Sequence, residues 1–208
     1  MRYRVVRGLA MAGVALLACA ALAPRAGAET VAAEEEFARQ TMIIGLLVGG
    51  GVQDNIQSHR DISEVSFVNG GHRVTYVPFD PFGNGWYRGA FETGIESWFQ
   101  YYVEPESHPM AAGAKLAFRY NFLGLGGRLV PYAEALAGVG ATGLKVREIR
   151  SNITFVLEVG VGVQYFLSKG LAVHGGYRFH HLSNGNVKSP NRGIEADSGV
   201  VGINWYFH

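Results

Sequence analysis

The sequence predicts an all-β fold: an eight-stranded antiparallel transmembrane β-barrel whose lumen is filled by side chains. Three observations carry this. The chain opens with an export leader. Beyond it, segment after segment alternates apolar and polar residues with period two, and aromatics stand at the segment ends. No window after residue 28 holds the ~18 consecutive apolar residues that a membrane-spanning helix needs. Composition agrees: the 208 residues include 29 glycines and 12% aromatics, with only 17% charged. A net charge of +1 argues against a nucleic-acid binder that relies on phosphate contacts.

The leader is read over 1–28. Arg2, Arg4 and Arg7 form a basic start, Leu9 to Ala23 an apolar run, and Ala26-Gly27-Ala28 a cleavage site. Cys19, the only cysteine, falls inside it, in an "LLAC" that loosely resembles a lipoprotein box. Cleavage after Ala28 leaves a mature chain without thiols, hence without disulfides or thiolate metal sites. Residues 29–42 are read as an N-terminal periplasmic segment and 43–208 as the barrel.

Eight strands are expected, at 43–53, 62–79, 86–103, 109–122, 130–141, 152–166, 170–183 and 195–207. The sixth shows the pattern most clearly. Ile153, Phe155, Leu157, Val159, Val161, Val163 and Tyr165 fall on one side, with Thr154, Glu158 and Gln164 on the other. The third sets Arg88, Glu92, Glu96 and Gln100 against Phe91, Ile95, Phe99, Tyr101 and Val103. The fourth sets Lys115, Arg119 and Asn121 against Leu116, Phe118, Tyr120 and Phe122. An apolar stripe this long fits a lipid-facing wall, whereas a soluble sandwich would turn it inward. The second strand is the least regular, because "NGGH" at 69–72 could form a turn or a bulge.

Eight strands enclose an interior just wide enough for side chains. Arg88, Lys115, Arg119 and Arg178 are expected there against Glu92, Glu96, Glu134 and Glu158, giving a paired and plugged lumen. His174 and His180 share that inward side and read as hydrogen-bonded plug residues. With both termini periplasmic, the very short "LSKG" connection is a periplasmic turn, and "GLKVREIRSN" and "NGNVKSPNRGI" are outer loops.

The seventh strand raises the functional question. His181 and Ser183 continue the lipid-facing stripe of Tyr177 and Phe179 at its outer end. Side chains two residues apart on a strand are parallel and ~7 Å apart at the backbone, so an imidazole leaning along the strand can reach the serine. A serine needs such a base to become a nucleophile, and the base needs a third group to fix its tautomer. Glu195 starts the eighth strand and a hairpin pairing would bring it alongside His181. Asp197, two residues on, competes for that role. On spacing alone, a polar hairpin tip at the membrane–water interface accounts for these residues equally well.

The motif "HHLSNGNVKSPNRGIE" (180–195) resembles the signature of the lipid A 3-O-deacylase (PagL-type) family of outer-membrane enzymes. It has His-x-Ser-Asn, a short polar stretch, Pro190-Asn191-x-Gly193 and then Glu. The resemblance implies Ser183 as nucleophile, His181 as general base and Glu195 as orienting acid, with an oxyanion site involving Asn191 and Asn184. It implies hydrolysis of the ester-linked 3-hydroxyacyl chain at position 3 of lipid A, in the bacterial outer membrane, without metal or other cofactor. The chain departs from the pattern in extra residues near its N-terminus and over 54–75, and in a His208 that trails the final aromatic.

Lys145, Arg147, Arg150, Lys188 and Arg192 lie on the two neighbouring outer loops. They are candidates for binding lipid A phosphates, or else solvated loop charges. No acid–histidine cluster has a metal-ligand spacing, and "GLLVGGGV" lacks the Lys-Ser/Thr of a nucleotide loop. The expected partner is lipopolysaccharide in the outer leaflet, and pairing into a homodimer stays open. The rival readings are a phospholipase or general lipid esterase on the same scaffold, and a non-catalytic structural barrel.

Overall fold

A computed structural model describes residues 32–54 and 63–208. Eight strands close into one antiparallel barrel in sequence order: β1 (Met42–Gln53), β2 (Ser66–Tyr76), β3 (Gly89–Glu104), β4 (Met110–Phe122), β5 (Leu129–Thr142), β6 (Ile153–Ser168), β7 (Leu171–Ser183) and β8 (Ile194–Phe207). β8 pairs back onto β1, from Met42↔Phe207 to Gln53↔Ala196, so no sheet edge is left open. The expected leader over 1–28 and residues 55–62 lie outside the described residues.

β2 is shorter than the 62–79 expected. "NGGH" is neither a turn nor a bulge: Asn69↔Gln100 and Arg73↔Glu96 keep one register across it, and the irregularity falls at Ser66/Phe67 instead.

Burial is inverted relative to a soluble protein. Leu157, Val159 and Val161 on β6 are 56–58% exposed, while Arg73, Arg119 and Arg178 are at most 2% exposed. Apolar side chains outside and cations inside are what a barrel in lipid requires.

The interior has three layers. At the loop end, Phe67, Trp98, Tyr102, Leu144, Ile149, Leu182 and Ile194 belong to one apolar cluster. At the opposite end, where β1 begins and β8 finishes, Phe37, Ile43, Leu123, Val130, Phe166 and Tyr206 belong to another. Phe37 comes from the 3-10 turn Ala33–Phe37 and packs edge-on to Phe166 and Tyr206, centroids 6.0 and 5.5 Å away. The described part of the N-terminal segment therefore stoppers the barrel.

Between the plugs lies an ionic layer. Arg178 bonds Glu134 at 2.7 Å, Glu96 at 2.8 Å and Glu158 at 3.2 Å. Lys115 reaches Glu96 at 2.7 Å and Glu158 at 2.9 Å, and Arg119 reaches Glu134 at 2.9 Å. Arg119 also stacks 4.0 Å above the Tyr132 ring. Tyr132 has room because Gly162 lies beneath it: a Cβ there would come within 2.4 Å of its hydroxyl. Buried charges at this density require mutual neutralisation, and each of these cations touches at least one carboxylate.

One expected member is wrong. Arg88 precedes β3, stays 38% exposed at the side chain, and pairs with Glu34 of the N-terminal turn. Its place is taken by Arg73 of β2, bonded to Glu96 and, at 2.9 Å, to Glu134. Arg88 has the right parity but lies one residue before the strand starts, so the alternation does not bind it. His208, the departure from an aromatic ending, ties the end of β8 to the segment that precedes β1. Its ring shares hydrogen bonds with Thr41 Oγ1 at 2.9 Å and with Glu36 at 3.2 Å, and Glu36 also accepts the Gly170 N–H.

Candidate active site

The site forms where β6, β7 and β8 end at the loop rim. Along β7, Ala172, His174, Arg178, His180 and Leu182 are buried, whereas Tyr177, Phe179, His181 and Ser183 are exposed or half-exposed. His181 and Ser183 thus lie on the outer wall, as their parity requires. Ser183 pairs with Phe155 and His181 with Leu157 on one side. On the other side, His181 pairs with Glu195.

That register brings the His181 Nδ1 to 3.8 Å from the Glu195 Oε1, with the two side chains 34% and 22% exposed. The pair is half-sheltered against the wall, close enough for ionic contact and longer than a hydrogen bond. Asp197 pairs one step further in, with Phe179, and accepts a 2.5 Å hydrogen bond from the Tyr177 hydroxyl. Its carboxylate is held away from the imidazole, which leaves Glu195 as the acid beside His181.

The β7–β8 loop is built to hold this geometry. Gly193 has φ +76° and lies under the His181 ring, where a Cβ would stand 2.9 Å from Cε1. Only glycine combines that backbone with that contact. Asn184 is fully buried; its backbone N–H donates to Asn191 Oδ1 at 2.8 Å. The Asn184 side-chain amide donates to the carbonyls of Lys188 at 2.6 Å and Pro190 at 3.2 Å. Asn191 Nδ2 donates to Asn186 Oδ1 at 3.0 Å. The donors of Asn184 are thus used in shaping the loop, and of the two asparagines only Asn191 keeps an amide hydrogen outside these bonds.

The loop is also tied to its neighbour between β5 and β6. Ile149 and Asn191 form an isolated bridge, and the Arg192 N–H donates to the Glu148 carbonyl at 2.9 Å. The Glu148 carboxylate points inward and accepts from Gln53 Nε2, the Ser63 N–H and the Ser63 hydroxyl at 2.6–3.1 Å. Three loops are thereby knotted through one buried acid. Sequence reasoning did not single out Glu148, Arg73 or the packing role of Gly193. Arg73 was visible in the "HRVTY" alternation, but Glu148 acts through long-range contacts that leave no local pattern.

The five candidate phosphate-binding cations do not form one group. Lys145, Arg150 and Lys188 line an open cleft of about 620 Å³ with Asn152, Ser189 and Pro190. Arg147 lies in a second hollow with Glu64, Lys145 and Arg150. Arg192 is exposed and lines neither. Burial, and then the charge of Lys188, lower the Lys145 ammonium below its usual pKa. His174 and His180 face the lumen, beside the Tyr132 hydroxyl at 3.4 Å and Glu158 at 2.8 Å. Among the described residues, no group of three or more His, Cys, Asp or Glu could hold a metal ion.

Residues 70–204 match the family model of the lipid A 3-O-deacylase (PagL). Comparison with curated protein sequences gave no match. Among solved structures, the chain is similar to the outer membrane enzyme PagL, at 20% identity and TM-score 0.58, over 76% of this chain and 97% of that one. It also matches Neisserial surface protein A (14% identity, TM-score 0.46, 80% and 97% covered). A further match is the N-terminal β-barrel domain of Pseudomonas aeruginosa OprF (13%, 0.45, 81% and 98%).

Proposed function

The chain belongs to the lipid A 3-O-deacylase (PagL) family of outer-membrane enzymes, and from that premise we propose that Ser183, His181 and Glu195 carry out the deacylation. The observation that carries the proposal is the His181↔Glu195 register on the outer wall, with Ser183 two residues along the same side.

Glu195 accepts the Nδ1–H of His181 and leaves Nε2 as the base. Nε2 takes the proton of Ser183 Oγ as that oxygen attacks the ester carbonyl carbon. The tetrahedral oxyanion meets hydrogen-bond donors at the loop, of which the Asn191 amide is the candidate. Collapse breaks the bond to the sugar oxygen at position 3, which leaves with the proton from His181. Water, deprotonated by the same imidazole, then hydrolyses the acyl-serine and releases a 3-hydroxy fatty acid. The 3.8 Å His181–Glu195 separation must close by roughly 1 Å, a tightening common on substrate binding.

Location supports lipid A as substrate. Phe155, Leu157 and Val159 of β6 are 40–56% exposed beside β7 and offer an apolar wall for the departing chain. The sugar–phosphate head then meets the loops without the lipid leaving the leaflet.

The test uses purified full chain in detergent micelles with lipopolysaccharide and, separately, phospholipid, products identified by mass spectrometry. Loss of one ester-linked 3-hydroxyacyl group from lipid A is expected, and Ser183→Ala should remove it while the heat-modifiable barrel persists. Undiminished hydrolysis by that variant would discard the triad; hydrolysis of phospholipid alone would discard lipid A as the substrate.

A further inference from the structure

The cleft above Ser183 has the chemistry of a specific subsite. Asn152, on its wall, lies three residues beyond Phe155, the β6 partner of Ser183, or ~10 Å along the strand. Thr154, between them, donates its hydroxyl to the Ser183 carbonyl at 3.3 Å. Three cations, Lys145, Arg150 and Lys188, surround the cleft, and among the described residues no carboxylate lines it. Of the nearby acids among the described residues, Glu148 is buried with its oxygens bound to Gln53 and Ser63, and Glu64 lies in the neighbouring hollow rather than in the cleft. Like charges held together repel one another; burial first, and the charge of Lys188 second, lower the Lys145 pKa.

The cleft is also built rather than incidental. Lys145 Nζ is anchored by the Ser151 carbonyl at 2.7 Å, and Asn184 grips the Lys188 carbonyl at 2.6 Å. The Ile149–Asn191 bridge fixes one loop against the other. Arg147 and Arg192 are not members because neither lines this cleft; Lys145 and Arg150 also border the neighbouring hollow, where Arg147 and Glu64 lie.

Resting on the deacylase reading, we infer that Lys145, Arg150 and Lys188 form a phosphoryl-binding subsite that seats a phosphate of the glycolipid head and so fixes which ester reaches Ser183. A phosphoryl group offers three acceptor oxygens, and two ammonium groups and one guanidinium supply matching donors. The subsite makes the enzyme select phosphorylated over phosphate-free glycolipid.

Binding is measured on the full chain carrying Ser183→Ala, so that no turnover intervenes. The probes are mixed micelles of lipid A, micelles of the same lipid with its phosphates removed, and inorganic phosphate. Lipid A should bind more tightly than the phosphate-free lipid. Each of Lys145→Gln, Arg150→Gln and Lys188→Gln should weaken lipid A alone, by about tenfold for one charge-assisted hydrogen bond lost. Heat-modifiable migration shows that each variant is folded. Equal binding of both lipids, or variants that keep the preference, overturns the subsite. Inorganic phosphate binding as tightly as lipid A would overturn the lipid headgroup as its occupant. Failure of the deacylase reading appears separately, as phosphate-dependent binding by a native chain that releases no 3-hydroxy fatty acid.

Discussion

Replacing Gly193 by alanine adds one methyl group and breaks two conditions at once. The backbone at φ +76° disfavours any Cβ, and that Cβ would stand 2.9 Å from His181 Cε1. The ring must move, and a misplacement of ~1 Å at a general base can cost about 10²-fold in rate. Gly193→Ala should therefore lower kcat by roughly 10- to 100-fold with little change in KM, measured on lipid A; a native kcat would separate Gly193 from the imidazole's placement. At Glu195 the change is electronic. Glu195→Gln keeps the shape but removes the charge that fixes the His181 tautomer and stabilises its imidazolium, so kcat should fall by about 10²–10⁴, while Asp197→Asn, removing an acid bonded to Tyr177, should have a much smaller effect. These residues were legible in the sequence because they sit in one contiguous hairpin. The spacing His-x-Ser and the turn to Glu195 are local facts. That Asp197 is engaged elsewhere is not, since it depends on where the Tyr177 hydroxyl lies.

At the level of elements, the strands follow from alternation, and their observed limits differ from expectation by few residues except at β2. There the apolar–polar contrast fades across Asn69-Gly70-Gly71, which have little side chain to show a phase, so the sequence alone could not say that β2 runs straight through. The N-terminal turn could not be seen as a stopper either, because a 3-10 turn of Ala33–Phe37 has too few residues for a periodicity. Its anchor is Phe37, fully buried against Phe166 and Tyr206. Phe37→Ala should destabilise the barrel by about 3–5 kcal/mol, read by urea unfolding in lipid vesicles; an unchanged midpoint would mean that the turn does not bear on the plug. The same turn is tied by Glu34 to Arg88, whose hydrogen bond holds the Glu34 carboxyl below its ordinary 4.5. A depressed carboxyl contributes above its ordinary pKa and stops contributing as pH falls through the depressed one. Hydrogen exchange over 33–37 should therefore be unaffected by this pair above pH 4.5 and rise on acidification below it.

For the molecule as a whole, the ionic layer decides both stability and what the barrel cannot do. Glu134 accepts from Arg73, Arg119 and Arg178 at 2.7–2.9 Å and is the point where three cations meet. Glu134→Gln leaves them short of a buried counter-charge, a change that costs about 3–5 kcal/mol in comparable pairs. The folded, heat-modifiable form should then convert at lower temperature than in the native protein; equal resistance would show that the layer is relaxed by other means. The layer and the two apolar plugs also block the lumen, so planar bilayers holding the protein should show no steady ion conductance. The proposed Ser183–His181–Glu195 site lies instead on the outer wall, where an acyl chain can reach it.

By itself the sequence determined the strand count, the inward and outward phase of nearly every strand, and the hairpin that carries Ser183, His181 and Glu195. Each is written in residues close together along the chain, where a period of two and a motif can be read. Only the tertiary structure decided that Arg73 rather than Arg88 completes the lumen, that Glu148 knots three loops, and that Lys145, Arg150 and Lys188 share a cleft from which Arg147 and Arg192 are excluded. Those outcomes depend on closure of β8 onto β1 and on loops meeting across strands, so they are set by distances in space that no spacing along the chain encodes.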